Sequence, residues 1–259
     1  MHHREFEPPL SLRNSIQCFW YDRIELTKLQ AGFEVVPDGY VEIIFHFGSG
    51  CSIAVDAKLL SLPSPFMIGL LDKPVEFYAQ SDLEIIAIRC NPWTVSDLLG
   101  LPQAKGGVQT LEHPVVTLQK ALSGFIRERK IEEAIECVEH YFLQTQSENI
   151  IDTTLSKAGT AIRDANGTLP VSAVADFAHA TVRTLERKFR ESSGHTVKDV
   201  SGLIRFEQVR NRLLTDPKTN IAGLAEELGY SDQSHLSREF KRYSGTTPAA
   251  FARKANSAK

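Results

Sequence analysis

The spacing of apolar residues changes period along this chain. In the first part, apolar positions come in short runs that alternate with polar ones or cluster β-branched and aromatic side chains between turn-forming residues. By this criterion Gly32–Val36, Val41–Phe47, Ser52–Val55, Val75–Tyr78 and Leu83–Arg89 are predicted strands. Between the first two, Pro37-Asp38-Gly39 combines a fixed φ with a residue that accepts positive φ, which predicts a hairpin joining Phe33–Val36 to Val41–Phe45. Beyond Pro92 the period becomes helical. Val95, Leu98 and Leu99 share a face, and Leu118–Arg129 and Ile131–Leu143 are longer candidates. In the last of these, Ile131, Ala134, Ile135, Val138 and Phe142 make one stripe, a candidate homodimer face. The expected class for this half is α+β, with the strands forming a sandwich or small barrel.

The remainder of the chain repeats itself. Setting Leu185–Val197 against Leu236–Pro248 aligns Leu185/Leu236, Arg187/Arg238, Phe189/Phe240, Ser193/Ser244, Gly194/Gly245 and Thr196/Thr247, where composition alone predicts about one identity. A short periodic helix precedes each copy: Val171, Val174, Ala175 and Ala178 in one, Ile221, Leu224, Ala225 and Leu228 in the other. Each unit is therefore helix, tight turn, helix. In the second turn Gly229 suits the left-handed position that ends a helix, and Ser231 or Asp232 caps the next. The first turn, Ala178-His179-Ala180-Thr181, keeps a capping threonine but carries His179 in place of glycine, at some conformational cost. Between the copies, Val200, Leu203, Ile204, Val209, Leu213 and Leu214 predict one connecting helix closed by Asp216-Pro217, a rod of roughly 24 Å. Two units so held are suited to major-groove segments about 34 Å apart on one face of B-DNA.

Charge sharpens this division. The 259 residues are 42% apolar, enough for about two packed domains, and carry a net charge of only −3. Residues 1–154 nevertheless hold 12 Lys+Arg against 21 Asp+Glu, while 155–259 hold 17 against 11. An acidic domain is joined to a basic one, and only the basic one has phosphates to neutralise. In its paired helices Leu185 and Phe189, like Leu236 and Phe240, lie four apart on a face that should be buried. That directs Arg183, Glu186 and Arg187 in one unit, and Ser234, Ser237 and Arg238 in the other, toward a candidate DNA surface.

The acidic half offers little chemistry of its own. His46 sits between Phe45 and Phe47 with no second histidine two residues on, and glycine-rich phosphate loops, G-x-S-x-G and H-E-x-x-H are missing. No catalytic residue, metal or cofactor is expected. Trp20, Tyr40, His46 and Trp93 are the candidates to line a small-molecule cavity. Cys18, Cys51, Cys90 and Cys137 are widely spaced, as isolated core thiols would be. The uncharged run Leu59–Leu71 contains Pro63 and Pro65 and is too short to span a bilayer, so no membrane association is expected. The first residues lack the pattern of a secretory signal, and the expected location is cytoplasmic.

The span Ala175–Phe251 closely resembles the DNA-binding domain of AraC/XylS-type transcriptional regulators. The residues that carry the resemblance are Leu185-Glu186-Arg187-Lys188-Phe189, Arg205, and Ile221-Ala222-Gly223-Leu224-Ala225 through Gly229-Tyr230-Ser231-Asp232 to Phe240-Lys241, Gly245 and Pro248. It implies seven helices, two helix-turn-helix units and a linker helix. Recognition residues carry over onto Arg183, Glu186 and Arg187 in the first unit and Gln233, Ser234, Ser237 and Arg238 in the second. His179, in place of the usual turn glycine, and Ala252, where an arginine commonly follows, depart from the pattern. Through Val36-Pro37-Asp38-Gly39, Ile43-Ile44-Phe45, Phe66–Gly69 and Pro92-Trp93, the first half resembles the sensor domain of a subgroup of these regulators, which implies a small cupin-like β-barrel.

The resulting expectation is a bacterial transcriptional regulator with an acidic sensor and dimerisation domain over 1–154 and a basic DNA-binding domain over 155–259. Its expected partners are double-stranded promoter DNA, an unidentified small-molecule effector, a second copy of the chain and, if it activates, RNA polymerase. The rival reading, a DNA-targeted enzyme with a catalytic cupin-like barrel, lacks both a metal cluster and a nucleophile motif. A purely architectural DNA-binding role leaves the acidic half without a task.

Overall fold

The computed structural model describes residues 3–25, 31–55, 58–101, 107–146 and 152–257. Its strands are β1 (Arg4–Phe6), β2 (Ile16–Ile24), β3 (Ala31–Val35), β4 (Val41–Gly48), β5 (Cys51–Val55), β6 (Lys58–Leu62), β7 (Phe66–Ile68), β8 (Val75–Ala79), β9 (Leu83–Cys90) and β10 (Val108–Thr110). They form two antiparallel sheets, one in the order β1-β2-β9-β4-β7-β10 and one in the order β3-β8-β5-β6.

Strand alternation explains how the larger sheet is buried on both sides. Along β4, Val41, Ile43, Phe45 and Phe47 point one way, into the core shared with the helices, while Glu42, Ile44 and His46 point the other. On the second face Ile44, Phe66, Ile85 and Ala87 meet Cys51, Ile53 and Phe77 of the smaller sheet. Helices α1 (Val95–Leu99), α2 (Leu118–Arg127) and α3 (Ile131–Gln146) cover the first face.

Two expectations need correction. Pro37-Asp38-Gly39 does not close a hairpin, because β3 pairs with β8 in one sheet and β4 with β9 and β7 in the other. The residues form a bend instead, in which Asp38 Oδ1 accepts the Tyr40 N–H at 3.0 Å. Turn chemistry sets a local bend and leaves the strand partner to the sheets. The Ile131, Ala134, Ile135, Val138 and Phe142 stripe is not a free dimer face, since each residue is 6% exposed or less inside the core. Internal packing on the other helices already satisfies it.

Seven helices follow among the described residues: α4 (Thr153–Asp164), α5 (Val171–Phe177), α6 (Val182–Ser193), α7 (Val197–Thr215), α8 (Ile221–Glu227), α9 (Gln233–Ser244) and α10 (Pro248–Ser257). The predicted connecting helix is α7. A reciprocal cap starts it, with Thr196 Oγ1 accepting from Asp199 N–H and Asp199 accepting from Thr196 N–H, and Asp216 ends it before Pro217. Its 19 residues make a rod of roughly 28 Å. Among the described residues no helix is long and apolar enough to cross a membrane, and the four cysteines are free thiols.

Candidate functional site

The two helix-turn-helix units are built alike. In the first, His179 takes φ +51 and Ala180 N–H bonds back to the Ala175 carbonyl at 3.0 Å; in the second, Gly229 takes φ +69 and Tyr230 N–H bonds to Ala225 at 2.9 Å. His179 thus stands structurally where Gly229 does. The second turn then runs one residue longer before its helix, so the repeat offset is 50 ahead of the turn and 51 after it. Thr181 caps α6 by accepting from Thr184 N–H at 3.2 Å, and Asp232 caps α9 by accepting from His235 N–H at 2.7 Å. That His235 bond holds the Asp232 carboxyl below its ordinary range.

Leu185, Phe189, Leu236 and Phe240 are buried as the pattern demands. Arg183, Arg187, Gln233, Ser234 and Arg238 are exposed, Glu186 and Ser237 partly so. The Arg187 guanidinium is held by Glu191 at 2.7 and 2.8 Å, and Glu186 lies 3.9 Å from Arg190. Phe206 of α7 packs on Phe240 and Tyr243 with ring centroids 5.1 and 5.2 Å apart. Arg205, also on α7, donates to the Gly167 carbonyl at 3.0 Å and lies 3.4 Å from Glu239, which accepts the Tyr230 hydroxyl at 2.8 Å. Burial, reinforced by Glu239, pushes the Tyr230 phenol far above its usual value. It therefore stays a hydrogen-bond donor and ties the turn to α9, while Arg205 ties the same Glu239 to the connecting helix.

Between the two sheets lies a cavity of about 430 Å³. Its walls are largely apolar, from Ile44, Phe66, Ile68, Phe77, Leu83 and Ile85, and Trp20 and His46 also line it. Burial pushes His46 below its usual value, and its Nε2 lies 3.2 Å from the Pro63 carbonyl, so the ring sits there as a neutral donor. At one end Arg89 donates to Asp38 at 2.7 Å and to Glu42 at 3.0 Å, and the Trp20 indole N–H donates to the same Glu42 oxygen at 3.2 Å. Burial raises the Glu42 carboxyl against the pull of Arg89. Arg210, from α7 of the helical domain, completes this end and lies 3.4 Å from the Pro37 carbonyl.

Tyr40 and Trp93 lie outside the residues that line this cavity. They meet at the junction of the domains, where the Arg163 guanidinium sits 3.8 Å from the Tyr40 ring centroid and 5.0 Å from that of Trp93. Arg163 also donates to the Gly39 carbonyl at 2.8 Å, and Phe189 of the first recognition helix packs 6.4 Å from Trp93. Sequence reasoning missed Asp22, Glu42, Arg89, Arg163 and Arg210. The alternation Trp20, Asp22, Ile24 and Glu42, Ile44, His46 was the available signal for the first two, because it places charged groups on the inner face of a sheet.

Two buried, capped helix-turn-helix units with basic outward faces define a DNA-binding domain of the double helix-turn-helix class. Residues 174–254 match the family model described as a helix-turn-helix domain. Residues 4–112 match a second model, a domain of unknown function (DUF6597). Among curated proteins, the chain is 35% identical over 103 residues to the HTH-type transcriptional regulator GlxA of Rhizobium meliloti, covering 40% of this chain and 31% of that one. It is 32% identical over 82 residues to the HTH-type transcriptional regulator RipA of Corynebacterium diphtheriae, covering 32% and 24%. The match thus spans a third or less of the length of these relatives. Among solved structures, ToxT of Vibrio cholerae O395 aligns with a TM-score of 0.46 and 13% identity over 91% of this chain and 97% of ToxT. The DNA-binding domain of AdpA in complex with target DNA gives 0.38 and 22% over 42% and 96%.

Proposed function

We propose that the chain is a sequence-specific, DNA-binding transcriptional regulator of the AraC type, and that its N-terminal domain binds a small effector in the cavity between its sheets. The observation that carries the DNA-binding part is the pair of capped helix-turn-helix units joined by one 19-residue helix, with Arg183, Arg187 and Arg238 exposed on the recognition helices. Guanidinium groups so presented suit bidentate pairing with guanine O6 and N7, while the remaining basic charge neutralises phosphates. The effector reading is supported by Arg210, which belongs to the connecting helix and yet lines the cavity of the other domain. A ligand there touches the rod that spaces the two reading heads, so its binding energy depends on where that rod lies. Coupling of this kind is typically worth about 1–3 kcal/mol and acts equally in both directions.

Footprinting of the full chain on a selected binding site tests the proposal. One protomer should protect two major-groove segments about 10 bp apart on one face of the duplex. Protection without sequence preference overturns it.

A further inference from the structure

The cavity contains a buried carboxylate with one oxygen left unpartnered. Asp22 is only 4% exposed, on the same inward face of β2 as Trp20 and Ile24, and lines the cavity between the sheets. Its Oδ1 has no hydrogen-bond partner among the described residues. A buried carboxylate oxygen in that condition costs more than almost any other side-chain atom, because water has been removed and nothing replaces it. Arg89 cannot serve, since it is committed to Asp38 and Glu42, and register places it four residues along β9 from Ile85, the strand partner of Asp22.

The mouth of the cavity shows what Asp22 accepts. His3 stands there with its Nε2 3.1 Å from Glu5 and its Nδ1 3.7 Å from the other Asp22 oxygen, its ring centroid 5.6 Å from that of Trp20. Glu5 pairs across from Trp20 in the β1–β2 ladder, which puts its carboxylate on this rim. An aromatic face with two carboxylates around one nitrogen-bearing group is the chemistry that receives an organic cation. The lining as a whole agrees: it includes Glu5, Asp22, Glu34, Asp38 and Glu42 against Arg89 and Arg210.

We propose, building on the effector reading above, that this cavity takes an organic cation, an ammonium or amidinium group on an apolar body. Asp22 is its counter-charge, Trp20 and Glu5 flank it, and the apolar body lies along the inner sheet faces. The cationic group replaces the imidazole of His3 between the two carboxylates.

Titration calorimetry on the full chain with 4-phenylbutylamine, 4-phenylbutanol and 4-phenylbutyrate separates charge from shape. The amine should bind at least ten-fold more tightly than the alcohol or the acid. Asp22→Asn should abolish that preference, and Glu5→Gln, on an exposed side chain that leaves the fold intact, should reduce it several-fold. Equal or tighter binding of the alcohol or acid overturns the cation assignment and leaves the effector reading standing. An amine preference unchanged by both variants overturns the assignment to this site. Absence of binding by all three overturns both readings. Amine binding that depends on Asp22 but leaves DNA affinity unchanged upholds the site and overturns its regulatory role.

Discussion

Gly159 lets the DNA-binding domain rest directly on Trp93: a Cβ at residue 159 would come within 1.9 Å of the indole Cε2 and 2.2 Å of Nε1. Helix α4 carries Gly159 and Trp93 follows the last long strand of the sheet domain, so a residue without a side chain sets how closely the domains approach. Gly159→Ala must push the indole or the helix aside. Overpacking of this kind costs about 1–3 kcal/mol. Urea denaturation should show a lowered midpoint, and a wild-type midpoint would mean that the two surfaces do not meet in solution.

Arg187 and Arg238 occupy matching positions in the two recognition helices but start from different states. Both are exposed, and Arg187 is in addition paired with Glu191 at 2.7 Å. Replacing either by alanine should cost about 1–3 kcal/mol on the preferred site and relax selection at one base pair. Competition binding against random-sequence DNA is the measurement. Equal losses on both DNAs would identify a phosphate contact instead.

His179 holds a left-handed conformation in the turn where the other unit uses Gly229. Left-handed backbone costs a residue with a Cβ about 1–2 kcal/mol, part of which a glycine gives back through the entropy of its unfolded state. His179→Gly should therefore stabilise the chain by about 0.5–1 kcal/mol, and Gly229→Ala should destabilise it by a similar amount. Thermal unfolding of the pair would show opposite shifts. Shifts of the same sign would contradict the equivalence of the two turns.

The turns were legible from the chain because helix signals are local: a buried residue every three or four positions, a cap, a glycine. The same local logic found α7 and the second helix of each helix-turn-helix unit, α6 and α9. It failed on β2, where Ile16–Ile24 carries apolar residues on both faces and a bulge falls between Ile16 and Cys18, so that no clean alternation survives. It failed again on Pro37-Asp38-Gly39, since the partner of β4 lies some forty residues away in β9. The cavity was half legible. Trp20 and His46 face it through strand parity, but Tyr40 and Trp93 are drawn to Arg163, in long-range contacts that no spacing rule encodes.

Two histidines should make the fold sensitive to mild acid. Burial pushes both His46 and His113 below the usual 6.5, and His113 Nδ1 accepts the Val115 N–H at 3.2 Å, a bond that protonation at that nitrogen removes. Below that value the unfolded chain binds more protons than the folded one, so stability falls as pH drops from 6.5 through the lowered folded values. The variant His46→Gln with His113→Gln should flatten the stability curve in this window. Urea midpoints between neutral pH and pH 5 test it, and an unchanged slope would place the sensitivity elsewhere.

Arg163 gives the domain junction its specificity. Its guanidinium lies over Tyr40 at 3.8 Å and near Trp93 at 5.0 Å, and donates to the Gly39 carbonyl at 2.8 Å. Burial pushes it below its ordinary pKa, and a guanidinium that keeps its charge there needs both the aromatic faces and the carbonyl. Lysine supplies a point charge without the planar fork, so Arg163→Lys should behave almost like Arg163→Ala. With the junction loosened, calorimetry should resolve two transitions in place of one, because the core that runs through the junction into the helical domain is then interrupted while the sheet domain keeps a second core between its sheets. Combining Arg163→Ala with Tyr40→Leu should then cost less than the two changes taken separately, by about 0.5–3 kcal/mol, as expected of residues in direct contact. A single transition at the wild-type temperature for Arg163→Ala would show that the stack does not hold the domains together, and that Trp93 and Gly159 suffice.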